Sequence, residues 1–266
     1  MKPTILFSSR VSASNNIATN LIDLGFKPVG DSQWIYDSID LIDTKVDHIL
    51  NISTNVEGDY IIVLSPHRSK AKLPALTTHI PGNWTSADFG GKPFTLNIAL
   101  PSVKIEILKA LFRHGRDLVS NGWSVSYEVD HHGPTIEKPI IFVEIGSGEE
   151  EWINNEAGFA VASAVFDVVN MELDGKIRRR PSFFGIGGGH YAPKFTRLAL
   201  NNDMPFGHML PKYKVDSITL DVFKQAIYKS IDPVDSIVVE KKGINARQRD
   251  IVLNMADEVG VKVVKM

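Results

Sequence analysis

Residues 60–69 read YIIVLSPHRS, and their first half points to a parallel sheet. Tyr60–Leu64 supplies five consecutive apolar side chains, whereas a strand with one wet face alternates apolar with polar. Both faces of this strand are therefore expected to be covered, as in a sheet layered with helices. At Ser65 the chain turns polar, through Pro66, His67, Arg68 and Ser69. Ligands of open α/β sheets bind beyond the carboxyl ends of the strands, so a histidine placed there is a candidate for chemistry.

The same alternation extends in both directions. Upstream, Thr4–Ser8 reads as a strand and Ser14–Leu24 as a helix stopped by Gly25. Downstream, Val103–Val119 carries a helical apolar stripe of Ile107, Leu108, Leu111, Phe112, Leu118 and Val119. Trp123–Val129 alternates as a strand, and Ile140–Ile145 follows as another. Ser147 and Glu150 have capping-box spacing, which predicts a helix from there through Val169. Ser182–Ile186 reads as a strand, Pro193–Asn201 and Leu220–Ser230 as helices, and Ser236–Glu240 as a strand. Asn245 with Gln248 caps a further helix, and Val261–Val264 closes the series as a strand. The expected fold is α/β, a mostly parallel sheet with helices on both faces, organised as one domain over residues 1–266. Ser65–Pro101 breaks the rhythm, with Pro66, Pro74, Pro81, Pro93, Gly82, Gly90 and Gly91. It reads as a long irregular loop beside the active site, of the kind that serves as a lid.

Composition narrows the classes. The 266 residues are 43% hydrophobic and 23% charged, an ordinary globular balance. No apolar run approaches the roughly 20 residues that span a bilayer. MKPTILFSSR is too weakly apolar for a signal peptide, so a cytoplasmic location is expected. Cysteine is absent, which leaves histidine nitrogen and carboxylate oxygen as the available metal ligands. Lysine and arginine number 29 against 31 acidic residues, for a net charge of −2. That argues against a surface coated for non-specific nucleic-acid binding, while leaving room for a local basic rim.

Four strands lead into polar turns: SPHRS (65–69), DHHGPT (130–135), GGGHYAP (187–193) and KKG (241–243). His67, His131, His132 and His190 sit in these turns, and His79 lies within TTHIPGN of the long loop. Neighbours on a strand point to opposite faces, so His131 and His132 aim at one centre only if Gly133 and Pro134 turn the chain. The plainer reading of that pair is turn-stabilising hydrogen bonds. The three glycines before His190 allow close backbone approach to a ligand, or simply a tight strand-to-helix turn. Glu144 is a candidate base or ligand, or a cap for a neighbouring turn. His208 in FGHMLPKY is a weaker candidate, and His48 and His114 read as structural. Arg68, Lys70, Lys72, Lys194, Lys241 and Lys242 lie at the site end and suit phosphate contacts, although solvated surface is the default for each. Arg178–Arg180 fall at the opposite end of their strand. There is no HExxH or other short zinc signature, so a metal site would be assembled from distant segments.

Taken in order, SPHRS, TTHIPGN, DHHGPT, IFVEIGS, GGGHYAPKFT and FGHMLPKY resemble the archaeal-type D-aminoacyl-tRNA deacylases, a family also found in plants. The resemblance runs from the first strand to KKG and is looser over Gly30–Glu57. It implies hydrolysis of the ester between a D-amino acid and the terminal ribose of tRNA. It also implies zinc, a monomer, and a core like that of phosphorylases and peptidyl-tRNA hydrolases. The expected catalytic residues are His131, His132, His190, Glu144 and Thr135. Zinc is expected on His67, His79, His132 and His190. Substrate is expected to meet Ser65, Arg68, Gly187, Gly188, Gly189, Tyr191, Lys194, Lys241 and Lys242, with the glycine N–H groups facing the oxyanion. Zinc lowers the pKa of a bound water, and a neutral histidine of DHHGPT is the metal-free alternative as general base. No device for sparing L-aminoacyl-tRNA is visible; a wall built from the long loop is one way to make the L-side chain clash. Two rival readings are a nucleoside or peptide hydrolase or phosphorylase of the same sheet type, and a non-catalytic RNA-binding module. Activity on free nucleosides would favour the first. The second predicts a basic, aromatic-rich chain, unlike this one.

Overall fold

The apolar run at Tyr60 lies inside an eight-stranded sheet, with all of its first five side chains buried. The computed structural model describes residues 1–69 and 72–266; Lys70, a candidate phosphate contact, lies outside the described residues. In chain order the elements are β1 (Pro3–Phe7), α1 (Ser12–Asp23), β2 (Lys27–Gly30), β3 (Gln33–Tyr36), β4 (Ile39–Asp43), β5 (Tyr60–Arg68), β6 (Ala75–His79), β7 (Gly82–Asn83) and β8 (Thr95–Leu96). There follow α2 (Pro101–His114), α3 (Arg116–Ser120), β9 (Ser124–Tyr127), β10 (Ile140–Ser147), α4 (Glu149–Trp152) and α5 (Asn155–Leu173). The last third holds β11 (Ser182–Ile186), α6 (Pro193–Asn202), β12 (Phe206–Leu210), α7 (Leu220–Tyr228), β13 (Val234–Val239), α8 (Ala246–Val259) and β14 (Val263–Lys265). Two compact units are built from these: Met1–Thr78, Glu106–Ser126 and Ile140–Arg178 form the first, and His79–Ile105, Tyr127–Pro139 and Arg179–Met266 the second.

The first unit carries the large sheet, ordered β2-β3-β4-β1-β5-β10-β6-β9. Its centre is parallel, as the apolar runs require: β1 pairs in parallel with β4 and β5, and β5 with β10. Towards one edge, β3 runs antiparallel to both of its neighbours, β2 and β4. Helix α1 packs on β5 and α5 through Ala13, Ile17, Ala18 and Leu21, one face of a helix at 3.6-residue spacing. In the second unit a four-stranded parallel sheet, β12-β11-β13-β14, buries Phe184, Ile186, Ile237 and Val239. Trp84 stacks on Phe184 at 5.6 Å, and Phe184 meets Phe223 edge-on at 5.3 Å. Among the described residues no helix is long and apolar enough to cross a membrane.

Several local expectations are corrected. Residues 65–101 are not irregular throughout: β5 continues through Arg68, and β6, β7 and β8 all fall inside the stretch. Thr77 and Thr78 hide β6 from an apolar count, although all five residues of that strand are buried. Ser147 does not cap a helix; it is the last residue of β10, and its hydroxyl donates to Leu73 O at 2.6 Å. The helix to Leu173 begins instead at Asn154, whose side chain accepts from Ala157 N at 2.9 Å. The helix expected over Val103–Val119 breaks at Gly115, where a Cβ would stand 2.7 Å from Leu111 O. Phe112 and Val119, placed in its apolar stripe, are exposed.

Candidate active site

In the first unit, β5 and β10 bring His67 and Glu144 together. The parallel register sets Gly146 beside His67 and Glu144 beside Ser65. A Cβ on Gly146 would lie 2.6 Å from the His67 ring, so glycine is needed for the imidazole to lie across β10. His67 Nδ1 is then 3.6 Å from Glu144 Oε2, with both side chains buried. Glu144 does not end its strand, which runs three residues further. Trp152 Nε1–H donates to His67 O at 3.0 Å, and the Arg68 guanidinium sits over the Trp152 ring at 4.7 Å. Ser65 is buried, and its hydroxyl lies 3.4 Å from Pro66 O.

The second unit gathers four histidines. His79 ends β6, and two residues later Pro81 pairs with His131 while Gly82 N–H donates to His131 O. The His79 and His131 rings lie 4.3 Å apart. His132 has φ +50°, the turn needed to bring its ring onto the same side as its neighbour's. Its ring is 4.4 Å from His131 and 4.8 Å from His79. Gly133 permits this because the loop at Phe89–Lys92 presses on it: a Cβ would lie 2.4 Å from Gly91 N, and Gly133 N–H donates to Phe89 O. His190 arrives on a separate segment, fixed by Val129 N–H donating to His190 O and by the Glu128–Tyr191 bridge. Its ring is 4.5 Å from that of His131.

Glu128, fully buried, organises the group. Its Oε2 is 2.8 Å from His190 Nε2 and 3.5 Å from His131 Nε2. Burial, followed by the neighbouring His79 and His132, holds His131 well below the ordinary histidine range, against the pull of Glu128. His131 Nδ1 lies 2.8 Å from Val129 O and His132 Nδ1 2.5 Å from Gly133 O. A carbonyl only accepts, so both rings carry their proton on Nδ1 and direct the Nε2 lone pair elsewhere. One ligand nitrogen each from His79, His131 and His132 fall within 4.8 Å of one another.

Behind this cluster lies a second buried network. Asp130 accepts from Met209 N–H at 3.1 Å and pairs with His208 Nδ1 at 2.7 Å, while His208 Nε2 donates to Lys229 O at 3.0 Å. Lys104, with no exposed surface, donates to Gly207 O at 2.6 Å and lies over the Tyr127 ring. Burial lowers its pKa to about 8, against the attraction of Asp130.

Several other expected site residues have structural partners. Gly187 and Gly188 do not present free N–H groups to an oxyanion: these donate to Leu210 O at 2.9 Å and Gly243 O at 3.4 Å. Their positive φ values, +127° and +75°, shape the strand-to-helix turn. Gly189 follows them in the same turn, and Lys194 is half-buried on α6. Thr135 Oγ1 accepts from Lys92 N–H at 2.8 Å, tying the loop to the histidine turn. Tyr191 packs edge-on to His190, and Lys241 and Lys242 are exposed beyond β13. His114 is held by Asp167 at 2.7 Å, and Arg180 by Asp203. His48 is exposed. Glu128, Asp130 and Lys104 are the residues sequence reasoning missed. Each left a trace: charged residues interrupt the strand-like run through Val129, and Lys104 interrupts an apolar helix face.

The model of the D-aminoacyl-tRNA deacylase family matches residues 54–264. The chain belongs to that family. A D-aminoacyl-tRNA deacylase of Pyrococcus horikoshii is 38% identical over 98% of this chain and 99% of its own. One from Methanocaldococcus jannaschii is 33% identical over 98% of each chain. Among solved structures, this deacylase-family chain is similar to a conserved protein of unknown function whose crystal structure is known. The TM-score is 0.87 at 32% identity, covering 99% of this chain and 95% of that one.

Proposed function

We propose that the protein hydrolyses the ester between a D-amino acid and the terminal ribose of tRNA, and that the cluster around His131 performs the hydrolysis. The observation that carries this is the convergence of His79, His131, His132 and His190 about a buried Glu128, in a chain whose relatives are named D-aminoacyl-tRNA deacylases. The products are a free D-amino acid and an intact tRNA. In this reading the protein acts as a monomer in the cytoplasm, where charged tRNA is found.

His190 is the general base. Its Nε2 lies 2.8 Å from Glu128 Oε2, which leaves Nδ1 as the basic atom, and its side chain is 36% exposed, so water reaches it. Glu128 holds the ring in one orientation and stabilises the imidazolium formed when His190 takes a proton from the attacking water. The same proton then serves the leaving ribose hydroxyl.

His79, His131 and His132 suit a zinc ion. They offer nitrogen donors without thiolate, and two of them have Nδ1–H clipped to a carbonyl, the outer contact that orients zinc-bound histidines. His131 also directs a lone pair towards the Glu128 oxygen, an arrangement of two acceptors that a cation would relieve. Zinc held there would supply Lewis-acid polarisation of the ester carbonyl. His190 then serves as base rather than ligand, and His67 stays with Glu144 as a structural pair.

The test is to incubate D- and L-tyrosyl-tRNA with the protein, with and without chelator, and follow ester loss. The D-ester should disappear and the L-ester persist; chelation should stop the reaction and added zinc restore it. Survival of both esters in the presence of zinc would overturn the assignment.

A further inference from the structure

Tyr213 is 56% exposed, yet it does not sit on a free loop. It lies in a short 3-10 turn, Lys212–Ser217, held from several sides. Lys212 N–H donates to Gly188 O at 3.0 Å, two residues before His190. Gln248, itself fixed in the capping box of α8, donates to Lys212 O at 3.1 Å and to Asp216 at 2.6 Å. Lys214 Nζ donates to Thr85 Oγ1 at 2.7 Å, and Val215 anchors the turn in the core. The phenol is pushed above the ordinary tyrosine range, first by burial and then by the Glu128 carboxylate. The turn that carries Tyr213 is thus tied to the strand-to-helix turn that carries His190, while much of the tyrosine side chain remains in solvent. Lys212 beside it is exposed.

A rigid aromatic face with an adjacent cation is how proteins grip single-stranded nucleic acid: any base stacks on the ring, and lysine meets the phosphate. We infer that Tyr213 is the stacking platform for a nucleobase at the single-stranded 3′ end of the substrate, with Lys212 contacting the backbone beside it. The inference rests on the deacylase reading above and assigns the grip on the RNA end that positions the ester beside His190. Because the turn is already clamped, little ordering entropy is lost on binding.

The test is steady-state deacylation of D-tyrosyl- and D-alanyl-tRNA by wild type, Tyr213→Ala and Tyr213→Phe. Stacking predicts that Tyr213→Ala raises KM roughly tenfold or more for both esters, with kcat within about threefold of wild type. Tyr213→Phe, which keeps the ring, should restore KM. An unchanged KM in Tyr213→Ala would overturn the inference, as would a phenylalanine variant no better than alanine. A rise confined to D-tyrosyl-tRNA would also overturn it, because the ring would then be meeting the amino acid. Wild type is measured in the same series: if it cleaves neither ester, the functional reading fails, whereas a failure of the Tyr213 variants alone leaves that reading standing.

Discussion

Lys104 is fully buried, held by a carbonyl and an aromatic face, and this has a consequence for stability. Its ammonium loses a proton near pH 8 in the native protein, against 10.5 ordinarily. Between those values the unfolded chain holds more protons than the folded one, so this residue makes stability rise with pH; below pH 8 the whole penalty is present. Lys104→Met removes the titrating group. In urea unfolding, wild type should therefore gain on the variant by at most roughly 3 kcal/mol between pH 7.5 and pH 10.5. A difference that stays flat across this range would contradict the buried charge. At this scale the sequence disclosed the histidines and concealed their partners. Imidazoles at strand ends stand out by position, whereas Glu128 and Asp130 look like the polar half of a strand until the fold turns them inward.

At the scale of elements, the histidine turn depends on the loop pressed against it. Gly133→Ala would place a Cβ 2.4 Å from Gly91 N, and the obstacle is backbone rather than a movable side chain. The loop at residues 89–92 must then lift, releasing the Lys92–Thr135 and Gly133–Phe89 hydrogen bonds. The variant should lose on the order of 1–3 kcal/mol of stability and at least tenfold in kcat, read by thermal melting and single-turnover deacylation. Wild-type values for both would show that the loop does not brace the site. The apolar run Tyr60–Leu64 was legible because burial on both faces leaves no alternative pattern. β6 was not, since its threonines read as polar, and the Ser147–Glu150 spacing misled because the serine found Leu73 O instead of a helix N-terminus.

Across the whole molecule, the residues that matter are scattered over more than a hundred positions, and topology rather than spacing brings them together. Periodicity predicted a mostly parallel sheet, and the order of the motifs identified the family. Neither could say that His190 would meet a carboxylate from the segment after β9, since that pairing depends on how β11 and its glycine turn lie against residues 127–129. The claim on which the account depends is that Glu128 and His190 act as one catalytic unit. It is tested most directly by single-turnover cleavage of D-tyrosyl-tRNA by Glu128→Gln, His190→Asn and the double variant, each checked for an unchanged melting profile. Each single variant should slow cleavage by about 100-fold or more, and the double variant should be no slower than the worse of the two. Wild-type rates in both single variants, or losses that multiply in the double, would contradict it.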